Sequence, residues 1–221
     1  LALMADKTLL FDADNRAFIM YDVEGRSWVA MGDPVGEDEE ARRELVWTFR
    51  DQCERAGGWP LFYQVRQDDL DLYLEVGMNF LKIGEEARVE LAGFNLDGKS
   101  KKVLRNTINK LTRDGMRMEI VPADAVPALM PQLRKISDAW MRDKGVREKG
   151  FSLGTFDPAY LERTPMALVW QGEELVAFAN LFLTDNKEEA SLDLMRHLPD
   201  STAGIMDFLF VNLMQWSRQE G

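Results

Sequence analysis

The sequence predicts an α/β (α+β) chain in which one supersecondary unit occurs twice. Three observations carry this reading. Hairpin signals at Glu24-Gly25 and at Gly172 each sit between β-rich runs. In both copies a last strand then leads through a proline-bearing turn into an amphipathic helix that ends at glycine. Within those strands, Ser27-Trp28-Val29-Ala30-Met31 and Ser191-Leu192-Asp193-Leu194-Met195 hold the same place.

Taken in order, "AFIMYDV" (17–23) and "RSWVAMG" (26–32) are the first hairpin. "DPVGEDEEARRELVWTFRDQCERAGG" opens with turn residues, puts acids in the first helical turn where the helix dipole favours them, and stops at Gly57-Gly58. "WPLFYQV" (59–65) is a further strand, and "NFLKIGEEARVEL" is expected to hold another with its approach. A basic helix, the strand "MRMEIV" and a long helix from about Asp124 to Lys144 follow, with Pro127 and Pro131 in or before its first turns. "MALVWQGEELVAFANLFL" (166–183) is the second hairpin, "ASLDLM" (190–195) the next strand, and "HLPDSTAG" leads into the helix "IMDFLFVNLMQWSRQEG". The first copy continues into a strand after its glycines and the second stops, so the chain is expected to lack its natural C-terminal end; its start likewise reads as a cut inside a longer chain.

With 46% hydrophobic and 29% charged residues, the composition is that of a globular chain. No apolar run is long enough to span a bilayer. One cysteine, Cys53, and one histidine, His197, can build neither an internal disulfide nor a zinc site, which points to a reducing, cytosolic setting without structural metal. A net charge of −11 argues against indiscriminate binding to nucleic acid or anionic membrane. The charge is unevenly distributed. From Lys99 to Arg117 seven bases face one acid, a local +6 that leaves −17 for the rest.

On a helical wheel Leu104, Ile108 and Leu111 form an apolar stripe, while Lys99, Lys102, Arg105, Asn106, Asn109, Lys110 and Arg113 fan across the other side without an acid. A solvated face accounts for such a pattern. Solvation alone would tolerate mixed signs, and an all-cationic face interleaved with asparagine also suits a phosphate backbone. Both readings stand on pattern alone.

Asp193 lies between two leucines in an apolar strand, with Arg196 three residues on. An unpaired buried charge costs several kcal/mol. Side chains alternate along a strand, so the two point to opposite faces unless the strand ends or bulges near Met195. They are then either a structural ion pair, or Asp193 is a general base or amine-recognising anion beside an Arg196 that stabilises developing negative charge. His197, in a turn, is more simply a surface or packing residue than a base.

"GRSWVAMGDPVG", "FYQV", "FLKIGEEARVEL", "GKSKKVLRNTINKLTRDG", "EKGFSLGTFD" and "SLDLMRHLPD" together resemble the cytosolic domain of the phosphatidylglycerol lysyltransferases, the multiple peptide resistance factor family. The resemblance runs from about Phe18 to Trp216. It implies two tandem acetyltransferase-like (GNAT) folds: a first over 1–97, a basic connecting helix and strand over 98–120, and a second, catalytic one over 121–221. It implies transfer of an aminoacyl group, lysyl more than alanyl, from aminoacyl-tRNA to the glycerol hydroxyl of phosphatidylglycerol. The setting implied is the cytosolic face of the bacterial inner membrane, as the soluble domain of an integral membrane protein with an N-terminal transmembrane portion, and the outcome is altered surface charge and resistance to cationic antimicrobial peptides. By position, the family's D-x-x-R pair falls on Asp193 and Arg196, a substrate-side tyrosine on Tyr160, and the tRNA-facing helix on Lys99, Lys102, Arg105, Lys110 and Arg113. Neither cofactor nor metal is implied. The family's further aromatic and basic segment lies beyond Gly221. An aminoacyl ester is already activated, so orientation, at about 7–11 kcal/mol, and one oxyanion donor, at about 3–4 kcal/mol, could suffice. Two alternatives compete. An acyl-CoA-dependent N-acyltransferase wants a glycine-rich phosphate loop, whereas "RHLPDSTAGIM" has one glycine, Gly204, and a proline, Pro199, that removes a donor. A non-catalytic RNA-binding module would need only the basic helix.

Overall fold

A computed structural model describes residues 2–220, and they divide between Glu85 and Glu86 into two compact units. The first holds β1 (Thr8–Phe11), β2 (Ala17–Glu24), β3 (Ser27–Met31), β4 (Val35–Gly36), α1 (Glu39–Arg55), β5 (Trp59–Tyr63) and α2 (Leu70–Glu75). Its sheet runs β1-β2-β3-β5, with β4 on β2. The β2–β3 hairpin turns at Gly25, whose φ of +60° is open to glycine at little cost. Asp38 caps α1 by accepting from the Ala41 N–H, with Glu39 and Glu40 in the first turn. The helix returns the chain so that β5 pairs parallel to β3. Gly58 makes that return possible: a Cβ there would lie 2.8 Å from Trp28 and 3.0 Å from the Cys53 sulfur. Apolar residues of α1 (Ala41, Leu45, Phe49) close over Ala17, Ile19 and Ala30 of the sheet.

The second unit holds α3 (Lys102–Arg113), β6 (Met116–Val121), α4 (Val126–Lys144), α5 (Pro158–Leu161), β7 (Met166–Gln171), β8 (Glu174–Leu183), β9 (Ala190–His197) and α6 (Ile205–Glu220). Its sheet is antiparallel throughout, in the order β6-β7-β8-β9. β7 and β8 are buried nearly end to end, which is why "MALVW" and "LVAFANLF" read as continuous apolar runs: helices cover both faces. On one face, Ile108 and Leu111 of α3 and Ile205, Phe208 and Leu209 of α6 pack on Val169, Ala177 and Ala179. On the other lie α4 and α5, with α4 against β8 and β9.

Three expectations change. Residues 79–90, "NFLKIGEEARVE", form no strand. A strand needs a ladder partner for its backbone groups, and here Gly84 and a run of charges interrupt an exposed segment. The division falls before the expected 97/98 boundary. The basic helix and the strand after it pack within the second unit, α3 on α6 and β6 on β7. The long helix stands where expected: it starts at Val126 after a 3₁₀ turn and ends at Lys144, with Pro127 in its first turn and Pro131 in its second, where it forfeits one backbone bond.

Candidate active site

β9 does not end near Met195. It runs to His197 and bulges: Ala179 faces Met195 and Leu181 faces Leu192, so Asn180 alone stands opposite both Asp193 and Leu194. Asn180 is fully buried and takes up the irregularity. Its Oδ1 accepts from the Leu194 N–H at 2.8 Å, and its Nδ2 donates to the Tyr160 hydroxyl at 3.2 Å. The extra residue reverses the alternation. Leu192 packs toward α6, while Arg196 points to α4.

The bulge therefore puts Asp193 and Arg196 on the same side of the sheet, yet each has its own partners. The Asp193 carboxylate accepts from the Tyr160 hydroxyl at 2.5 Å and from the Gly154 N–H at 2.7 Å. Tyr160 is held by α5, whose N-cap Asp157 accepts from the Ala159 and Tyr160 N–H groups. Gly154 leaves room for that contact: a Cβ would stand 1.8 Å from the Asp193 Oδ2 and would displace the carboxylate. Arg196 is buried, donating to the Ser137 hydroxyl at 2.5 Å and to Glu148 Oε2 at 2.6 Å, with its guanidinium 5.2 Å from the Trp140 ring. The ion pair considered for Asp193 and Arg196 is thus made by Glu148 and Arg196 instead. Asp193 remains partly exposed, and of its roughly four lone-pair positions two are occupied. Tyr160, expected on the substrate side, is buried, and its hydroxyl donates to Asp193 and accepts from Asn180. The His197 Nδ1 lies 2.9 Å from the carbonyl of Leu198, which can only accept, so the ring closes its own turn together with Ser201.

The basic helix forms as expected. Lys99, Lys102, Lys110 and Arg113 are exposed, and among the described residues none has a carboxylate within ion-pair distance. Arg105 differs: it donates to the carbonyls of Leu96 and Gly98 and so ties down the approach to its own helix. The helix lies on the α6 face, the opposite face of the sheet from Asp193. It reaches the turn after β9, where a Cβ on Gly204 would meet Thr107 at 2.6 Å. A cavity of about 630 Å³ lies on the α4 side of that turn, lined by Arg142, Asp143, Glu174 and Leu198 to Ser201 among others; Asp193 is not in its lining.

Glu148, Ser137, Asn180 and Gly154 were not singled out from the sequence. Asn180 had a signal, a lone amide inside the apolar run "LVAFANLFL". Gly154 and Glu148 lie in the quoted "EKGFSLGTFD", which carried no role when read alone.

The chain is thus a mixed α/β one with a partly exposed carboxylate held at a strand bulge, and among the described residues no helix is long and apolar enough to cross a membrane. Residues 1–221 match the family described as "Phosphatidylglycerol lysyltransferase, C-terminal". The chain is 39% identical over 222 residues to a phosphatidylglycerol lysyltransferase of Bacillus subtilis, and 34% identical over 217 residues to one of Staphylococcus aureus. These alignments cover 100% and 98% of the chain but 26% of each relative. It superposes on the structure of L-PGS from Bacillus licheniformis with a TM-score of 0.94 at 35% identity, covering all of this chain and 70% of that one. The chain belongs to the phosphatidylglycerol lysyltransferase C-terminal family.

Proposed function

We propose that this domain transfers an aminoacyl group, lysyl in preference to alanyl, from aminoacyl-tRNA to the glycerol hydroxyl of phosphatidylglycerol, with Asp193 as the catalytic carboxylate. The carrying observation is the hold on Asp193. Two donors fix its carboxyl group, and the lone pairs left over can take the lipid hydroxyl proton or the amine of the aminoacyl group. The lipid oxygen attacks the ester carbonyl carbon as its proton passes to Asp193. The bond to the tRNA ribose oxygen then breaks, and that oxygen takes the proton back. Arg196, with Nη1 and Nη2 already donated to protein acceptors, contributes fixed positive charge on the same face.

The exposed bases of α3 support the tRNA part of the reading. Lys101 and Lys102 at its N-terminal end oppose the helix dipole, at a cost of about 0.3–1 kcal/mol each, and no side chain caps that end. A phosphate there would meet both the lysines and the free N–H groups. Lys99, Lys102, Lys110 and Arg113 are assigned to it; Arg105 shapes the loop before them. We read the two units as tandem GNAT folds, on the strength of the hairpin, strand and helix order common to both. The work would be done at the cytosolic face of the cell membrane beside the transmembrane portion of a longer protein, lowering negative surface charge and raising resistance to cationic peptides.

The test uses the full-length protein, phosphatidylglycerol vesicles and charged tRNA, with the lipid product identified by mass spectrometry. Asp193→Ala should cut aminoacyl-lipid formation by at least about 10²-fold while tRNA binding persists. Undiminished product from that variant would remove Asp193 from the chemistry.

A further inference from the structure

The motif "EKGFSLGTFD" enters the mechanism only through the Gly154 N–H, and the structure shows where each of its ends is fastened. Residues 145–157 form a strap. It leaves α4 at Gly145, whose φ of +60° ends that helix in the left-handed conformation, and it enters α5 at the capping residue Asp157. Between them the strap has no regular secondary structure and is largely exposed; Gly154 is its only buried residue. Such a segment would be mobile without specific anchors.

Two of its anchors end on β9. Glu148 Oε2 accepts from Arg196, and Glu148 Oε1 accepts from the Phe156 N–H at 3.3 Å, so one carboxylate joins the buried guanidinium to the far end of the strap. The Phe156 ring lies under the Arg134 guanidinium, 4.7 Å away, and edge-on to Phe178, which pairs with Arg196 across the sheet. Between these fixings the Gly154 N–H is delivered to Asp193 at 2.7 Å. The Glu148 side chain keeps 37% of its exposure while that of Arg196 keeps 4%. The arginine is thus the enclosed partner of the pair and the glutamate the one that faces solvent.

We propose that Glu148 is a positioning residue: by gripping Arg196 and the Phe156 N–H together it latches the strap where the Gly154 N–H orients Asp193. The proposal rests on the reading of Asp193 as the catalytic carboxylate. Glu148 then affects the rate through geometry, without touching substrate, and a misplacement on the order of 1 Å at a reacting group costs about 10²-fold.

Glu148→Gln keeps an acceptor for Phe156 and removes the charge that holds Arg196. In the full-length protein with phosphatidylglycerol vesicles and charged tRNA, its single-turnover rate at saturating tRNA should fall by about 10²-fold, with the tRNA KM within about twofold of wild type. Hydrogen exchange at the Gly154 amide should quicken, because the latch is open. Combining it with Arg196→Gln should cost little beyond Arg196→Gln alone, since both break one unit. A rate near wild type, losses that simply add, or an unchanged Gly154 amide would each overturn the latch. If the wild-type protein makes no aminoacyl lipid, the functional reading fails instead, and exchange at Gly154 still decides whether the strap is latched.

Discussion

Tyr160→Phe removes one oxygen and keeps the ring, so its effect can be worked from two hydrogen bonds. The hydroxyl donates to the Asp193 carboxylate and accepts from Asn180. A hydrogen bond to a charged group contributes about 1.5–3 kcal/mol, and a buried donor left without an acceptor costs about 1–3 kcal/mol. Asn180 is fully buried, so its Nδ2 has no water to turn to. The two effects share one oxygen and overlap; a net loss of about 3 kcal/mol is expected, or roughly 6–12 °C in Tm for a chain of this size. Asp193 retains the Gly154 N–H but loses its second tether, and the transfer rate should fall by about 10- to 10²-fold. Thermal unfolding by circular dichroism and the lipid product assay read the two effects separately. Tyr73→Phe is the matched control. Tyr73 also donates to a carboxylate at 2.5 Å, that of Asp33 in the other unit, so it should lose about 2 kcal/mol of stability with no loss of transfer. If Tyr160→Phe melts within about 2 °C of wild type and transfers at the wild-type rate, the hydroxyl does not hold Asp193 and the site is wrongly drawn.

Lys102→Glu together with Lys110→Glu should weaken tRNA binding and make the plot of log affinity against log salt shallower by about 2; an unchanged slope would exclude these lysines from the phosphate contacts. Arg105 is left intact because its substitution would also release the carbonyls of Leu96 and Gly98. Burial, with the Asp33 hydrogen bond, drives the Tyr73 phenol far above its usual 10.0. The folded chain then holds that proton where the unfolded chain releases it. Stability from this group is fully present below pH 10 and falls by about 1.4 kcal/mol per pH unit above it, and denaturant unfolding of Tyr73→Phe between about pH 10 and pH 11.5 should lack that slope. Asp33, raised above 3.8 chiefly by burial, contributes stability that is fully present below that value and falls as pH rises above it, a slope of the same sign that Asp33→Asn should remove.

Much of the fold was legible because period and punctuation agree. The capped α1, the hairpins at Gly25 and Gly172, and the amphipathic α3 and α6 all stand close to where local chemistry puts them. β1 and the short α2 were not read, since four and six residues are too few to show a period. The run at 79–90 misled for a different reason. β-rich composition reports what would fit a sheet, and a strand exists only where a neighbour supplies its ladder.

The site was half legible, and the missing half is one of parity. Counting along β9 puts Asp193 and Arg196 on opposite faces, because three is an odd number. Asn180 undoes the count: by accepting the Leu194 N–H it lets two residues of β9 oppose one of β8, and everything after it turns over. That amide lies on a different strand from the residues it re-aims, so no inspection of "SLDLMRH" could reveal it. The same amide also donates to Tyr160, and so the residue that sets the direction of Arg196 supports the phenol that holds Asp193. A carboxylate and a guanidinium three residues apart could have cancelled each other as an ion pair. Here each is held by separate partners brought from 148–160, which leaves the Asp193 carboxylate partly exposed instead of neutralised by its neighbour.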